Sequence, residues 1–153
     1  MKTPIQKAQD KLFKAKTILE NIAICTAKND FIEKFILCEV AYKILLKEYK
    51  INRNEPYTKE NLTLKMNQIQ SVLKFFNIEI ESNTLNRIFS SKEKLRGQNS
   101  AKLLRNGIIH SLDNGDILEV FHRQNELHSY MNSFLHIFLP PTTNQPEESQ
   151  TVA

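Results

Sequence analysis

The sequence predicts an all-α fold, an antiparallel bundle of four to five helices, on three observations. Apolar residues recur at spacings of three and four along most of the chain, and period-2 alternation is nearly absent. Only 3 of the 153 residues are Gly and 41% are hydrophobic, which argues against a loop-rich, collagenous or disordered chain. No internal repeat of solenoid length is apparent, so the helices should close on one shared core.

Each element has its own signal. Thr3-Pro4 supplies a cap hydroxyl followed by a proline at the first turn, where no N–H is needed. Ile5, Ala8, Leu12, Ala15, Leu19, Ile22 and Ala23 then form a helical stripe, with Lys7, Lys11, Lys14 and Lys16 largely off it. Asn29-Asp30 reads as a break and a new cap. A second helix follows, with Phe31, Phe35, Leu37, Cys38, Ala41, Leu45 and Tyr49 on its stripe. Ile32, Ile36, Val40, Ile44 and Leu46 widen that stripe, so this helix is expected to be central and covered on several sides. Residues 52–56 are a loop, and Thr58 caps a third helix whose inner face carries Leu62, Met66, Ile69, Val72, Leu73 and Phe76. Thr84 to Ser90 reads as a short helix with Leu85, Ile88 and Phe89 inward. Asn99-Ser100 caps the next helix, carrying Ala101, Leu104, Ile108 and Leu112. After a turn at residues 113–116, a last helix is expected from about Ile117 to Leu139.

The bundle should therefore occupy residues 1–139. Residues 140–153 open on two prolines and then offer almost nothing to bury, which reads as a disordered tail. That tail holds Glu147 and Glu148 but no Lys or Arg. The whole chain is +4, and without the tail 21 basic residues face 15 acidic ones, a body charge of +6. A basic body is mild support for a polyanionic partner.

Several functions are excluded. Three glycines leave no Gly-rich phosphate loop, and two cysteines make neither a disulfide scaffold nor a four-Cys zinc site. Cys25 and Cys38 lie among apolar neighbours and read as reduced, buried thiols. No signal peptide is apparent, and Glu33, Lys34, Glu39 and Lys43 cut the most apolar stretch, so it cannot span a membrane. The expectation is a soluble cytoplasmic protein. His122, His128 and His136 are spaced by 6 and 8, which does not make the i, i+4 pair of a helical zinc site. No metal or cofactor is expected. Tyr42, Tyr49 and Tyr57 read as core or rim packing.

One segment carries a constellation that permits chemistry: Lys102-Leu103-Leu104-Arg105-Asn106-Gly107-Ile108-Ile109-His110-Ser111-Leu112. Asn106 and His110 are four apart and share a helix face, so the amide can orient the imidazole. His110 can exchange protons near neutral pH, and Arg105 can hold a phosphate bidentately. With an RNA 2′-hydroxyl as nucleophile, this set suits phosphodiester cleavage without a metal. Arg87, Lys92, Lys94, Arg96, Lys102 and Arg105 stand close in sequence against only Glu93. Arg87, Lys94, Arg96 and Lys102 are the candidate substrate contacts. Gly107 costs about 1 kcal/mol relative to Ala in a helix interior, so close approach of a second backbone or of a ligand is expected there. A Glu of the second helix can pair with Arg105; Glu39 is the choice, because apolar residues surround it. A plainer reading stands beside this one, in which Arg105 and His110 pair with Asp113 and Asp116 and staple the helix end.

The phrase from Leu103 to Ser111 resembles the Arg-x4-6-His motif of the HEPN superfamily, the higher eukaryotes and prokaryotes nucleotide-binding domain: an apolar pair, Arg with a polar follower, a further apolar pair, then His. The helical order of residues 4–139 is similar as well. The resemblance implies a helical bundle that pairs as a homodimer with two motifs facing one cleft. It also implies a metal-independent endoribonuclease of a toxin–antitoxin, abortive-infection or phage-defence system, or an inactive relative that serves for dimerisation or RNA binding. Arg105 and His110 would be catalytic and Asn106 would support the histidine. RNA and an antitoxin or other partner protein are the implied partners. Toxins paired with a nucleotidyltransferase antitoxin usually carry Tyr two residues after the His; that position here is Leu112, a departure that does not touch the nuclease residues.

Overall fold

The computed structural model describes residues 1–57, 66–92 and 98–138. Within them the chain forms seven helices: α1 (Pro4–Leu19), α2 (Ile22–Asn52), α3 (Met66–Phe75), α4 (Ser82–Phe89), α5 (Ala101–Ser111), α6 (Asn114–His122) and α7 (Gln124–Leu135). The helical class agrees with the sequence, but the count exceeds the expected four to five. The expected cap at Thr58, Leu62 of the third helix, Lys94 and Arg96, and the tail from residue 140 lie outside the described residues.

The caps explain the starts. The Thr3 hydroxyl accepts from the Gln6 amide while the Gln6 side chain accepts from the Thr3 amide, a reciprocal box that opens α1. The break between the first two helices falls at Glu20-Asn21, where Asn21 Oδ1 accepts from the Ile24 amide. The expected break at Asn29-Asp30 does not occur. Both residues are exposed and cost little in a helix, and running through them sets Ala27 and Phe31 on one buried stripe.

That stripe (Phe31, Phe35, Cys38, Tyr42, Leu46) makes α2 the spine of the fold. Helices α5, α6 and α7 pack along it, and α4 closes against α7. Phe89 of α4 is the hub: its ring centroid lies 6.2 Å from Phe35, 6.4 Å from Tyr42 and 5.1 Å from Phe134. Rings at such distances add to the burial of their own area.

The last helix is also not continuous. Arg123 leaves helical geometry and separates α6 from α7. Its buried guanidinium donates to the Asn99 carbonyl at 2.9 Å and pairs with Glu119 and Glu126. One side chain thus ties the break to the entrance of α5. With α7 redirected, Leu127, Met131, Phe134 and Leu135 reach the core.

Two expectations about burial are corrected. On α1 only Ala15 is buried, while Ile5 and Leu12 of the expected inner stripe are exposed. On α2 the widened apolar surface is not covered on all sides. Ile36, Leu37, Val40 and Ile44 retain 45%, 50%, 47% and 60% of their surface. The core needs only one stripe of the helix; no other described element of the chain lies over the opposite one. No helix among the described residues is long and apolar enough to cross a membrane.

Candidate functional site

Helix α5 is fixed at both ends. Ser100 is buried at its start; its hydroxyl accepts from the Leu103 amide at 3.2 Å and donates to the Ser90 carbonyl at 2.6 Å, which pins α5 to the end of α4. At the other end Leu112 adopts left-handed geometry with φ 45°. Its amide closes on the Ile108 carbonyl, and Asp113 at once caps α6 by accepting from the Asp116 amide. Ala101, Leu104 and Ile108 face the core. That leaves Arg105 on the flank toward α2, Gly107 on the flank toward α6, and Asn106 and His110 between them, away from the core.

Arg105 meets Glu39 as a two-pronged pair. Nη1 donates to Oε1 at 3.3 Å and Nη2 to Oε2 at 3.1 Å. The guanidinium carbon also lies 4.8 Å from the centroid of the Phe35 ring. About a fifth of each side chain remains exposed, 21% for Arg105 and 19% for Glu39. A bidentate pair over an aromatic face orients a guanidinium as few other arrangements do. The Glu39 pairing expected from the sequence is therefore present, and the alternative staple of Arg105 to Asp113 or Asp116 is not.

Asn106 behaves differently from expectation. Its Oδ1 accepts from Arg105 Nε at 3.0 Å, so it supports the arginine and not the histidine. His110 is exposed, and its ring has no hydrogen-bond partner among the described residues. Of the candidate substrate contacts, Lys102 donates to Ser91 Oγ at 2.9 Å and Arg87 donates to Gln98 Oε1 at 3.2 Å, so both are held along the α4–α5 connection.

Gly107 has a close neighbour, but it is the side chain of an acid and not the second backbone or ligand expected. A Cβ added at Gly107 would stand 1.7 Å from Asp116 Oδ2. Burial pushes the Asp116 carboxyl up to about 6, and repulsion from Asp113 and Glu119 adds to that; a hydrogen bond from the Asn99 side chain works against it. Sequence reasoning missed this contact, although the costly glycine and the acid just beyond a tight turn were its two signals.

The remaining candidates are structural or peripheral. Arg123 is committed to Glu119, Glu126 and Asn99. His122 is exposed, with its ring edge-on to Phe121 at 5.4 Å. The partly buried His128 has its basicity lowered by burial and by Lys34, while Asp30 acts in the opposite sense. Burial lifts the Cys38 thiol to about 12, against a smaller effect of Lys34. No group of three or more metal-ligating side chains occurs among the described residues. Comparison of the chain with protein-family models, with curated proteins and with solved structures returns no match.

Proposed function

We propose that this chain is a homodimeric endoribonuclease of the HEPN type, acting in the cytoplasm as part of a toxin–antitoxin or phage-defence system. The observation that carries the reading is the order along α5: a guanidinium fixed by Glu39 and Asn106, then, just over one turn on, an exposed histidine with no hydrogen-bond partner among the described residues. The same flank borders the uncovered apolar face of α2, where a second copy would bring a second motif.

In this reading the RNA supplies its own nucleophile. The 2′-oxygen forms a bond to phosphorus as the bond to the 5′-oxygen breaks. The 2′-hydroxyl proton goes to a base and the departing 5′-oxygen receives one from an acid. His110 serves in that proton transfer, since imidazole changes charge near neutral pH. Arg105 stabilises the charge that builds on the phosphoryl oxygens, using the edge that Glu39 leaves exposed. The products are a 2′,3′-cyclic phosphate and a 5′-hydroxyl. Lys102 and Arg87, with Lys94 and Arg96, steer the polyanion.

The test is cleavage of single-stranded RNA by purified protein in EDTA, with analysis of the ends. Wild type should give cyclic phosphate ends, and His110→Ala should lose cleavage while keeping its helical circular dichroism. Undiminished cleavage by that variant would sink the assignment. One observation favours a second reading, a non-catalytic dimerisation or RNA-binding module: Nε, Nη1 and Nη2 of Arg105 are all engaged within the chain. That reading expects no cleavage by the wild type.

A further inference from the structure

The outer face of α2 has an internal symmetry. Reading Glu33, Ile36, Val40, Ile44 and Lys47, the steps are three, four, four and three, the same in both directions. At about 100° per residue, Ile36 and Ile44 lie roughly 40° to either side of Val40, and Glu33 and Lys47 within roughly 20°. All five are exposed, and neither Glu33 nor Lys47 has an ion-pair partner among the described residues. Lys47 instead rests over the Tyr57 ring at 5.1 Å. An apolar stripe with an acid at one end and bases at the other, Lys47 and the exposed Lys43 one turn before it, is what an antiparallel copy of itself would match.

We infer that this face is an isologous interface in which α2 packs antiparallel on α2 of a second copy, with the twofold axis at Val40. The inference rests on the homodimeric part of the reading above and fixes which surface and which register make the dimer. Val40 meets Val40 of the second copy, Ile36 meets its Ile44, and Glu33 meets its Lys47. Parallel packing would place like charges together at both ends, so the charges select the direction. An apolar groove along Leu37, Ala41, Leu135 and Phe138 continues the patch toward α7, and the exposed Ile109 lies on the α5 side. The chain's own residues 139–153 hold no Lys or Arg and cannot answer Glu33.

This register has a consequence for the site. Two antiparallel helices share a twofold axis perpendicular to both, so equivalent flanks lie on the same side of the pair. Glu39 is one residue from the axis. Both Arg105–Glu39 pairs would therefore flank one cleft, with helix axes about 8–10 Å apart at the crossing, and each α5 would face the other.

The charges allow a test that folding defects cannot imitate. Glu33→Lys alone gives two Lys–Lys contacts per dimer, and Lys47→Glu alone gives two Glu–Glu contacts. A one-to-one mixture restores only opposite charges, because a chain with Lys at 33 and 47 meets a chain with Glu at both. Sedimentation equilibrium on the full chain should show a wild-type dimer. Each single variant should dimerise about tenfold more weakly at low salt, and their mixture should recover a dimer near wild-type strength. Val40→Lys, exposed in the monomer, should be monomeric with unchanged helicity. A monomeric wild type, single variants as tight as wild type, or a mixture as weak as its components would each overturn the interface. A dimer that cleaves no RNA would keep the interface and remove the ribonuclease reading, and cleavage by a monomer would do the reverse.

Discussion

The two flanks of α5 each carry a carboxylate against the helix, and the two are held in opposite ways. On the α2 side Glu39 faces Arg105 across two hydrogen bonds, so its charge is neutralised where it stands. On the α6 side Asp116 sits over Gly107 with Asp113 and Glu119 as its electrostatic neighbours, and burial lifts its carboxyl to about 6. A buried charge is tolerated when it is paired, and a carboxyl without a cation drifts toward its neutral form. One flank is therefore an ion pair that orients a guanidinium. The other is a steric accommodation, open only because residue 107 lacks a Cβ.

The same isosteric change should act with opposite sign on the two flanks. Glu39→Gln has the larger effect. It keeps the shape but removes the charge that two guanidinium nitrogens face, leaving Arg105 partly buried and underpaired. The expected loss in urea denaturation is about 1–2 kcal/mol, kept modest because both side chains retain some water contact. A loss below about 0.3 kcal/mol would show that solvent already screens the pair.

Asp116→Asn should not destabilise at neutral pH. The folded carboxyl titrates at about 6, above the ordinary value near 4 of an unfolded chain. Between those pH values the native protein holds a proton that the unfolded chain has released. The contribution of Asp116 to stability should therefore fall as pH rises from about 4 to about 6, with the penalty persisting above that. The variant lacks this titration. Its melting temperature relative to wild type should climb across that window and stay higher at pH 7. Parallel profiles for the two proteins would mean that Asp116 is solvated.

The sequence revealed the first flank better than the second. Glu39 could be chosen as the partner of Arg105 because an acid inside an apolar stretch needs a cation nearby. The caps at Thr3 and Ser100 and the short helix α4 were readable for a similar reason: each is a local rule satisfied by adjacent residues. The division at Arg123 was not readable, because distant contacts decide it, among them Asn99, 24 positions away; the break at Asn21 rests on a local cap to the Ile24 amide, which the similar Asn29-Asp30 pair obscured. Spacing put Asn106 beside His110, but a long arginine side chain reached the same amide first. The width of the apolar surface on α2 was visible, yet hydropathy does not say whether a helix is covered by its own chain or by another.

Gly107→Ala should be the mildest change, and it tests whether the second flank is only a fit of shapes. The new methyl would stand 1.7 Å from Asp116 Oδ2 and 2.9 Å from its Cγ, so the side chain must rotate away. What moves is the end of a side chain and not backbone, and at pH 7 it leaves a position that burial and two neighbouring acids make unfavourable for its charge. Alanine also favours the helix by about 1 kcal/mol. These effects oppose the loss of the Asn99 hydrogen bond, and the net change at pH 7 should stay within about 1 kcal/mol. Below about pH 5 the protonated carboxyl fits its place in the wild type, so the variant should there become the less stable of the two. Gly107→Ala and Asp116→Asn should thus both flatten the same stretch of the pH profile, one by displacing the carboxyl and the other by removing its charge. A loss above about 3 kcal/mol at every pH would mean that Asp116 cannot leave and that the glycine serves to hold it in place.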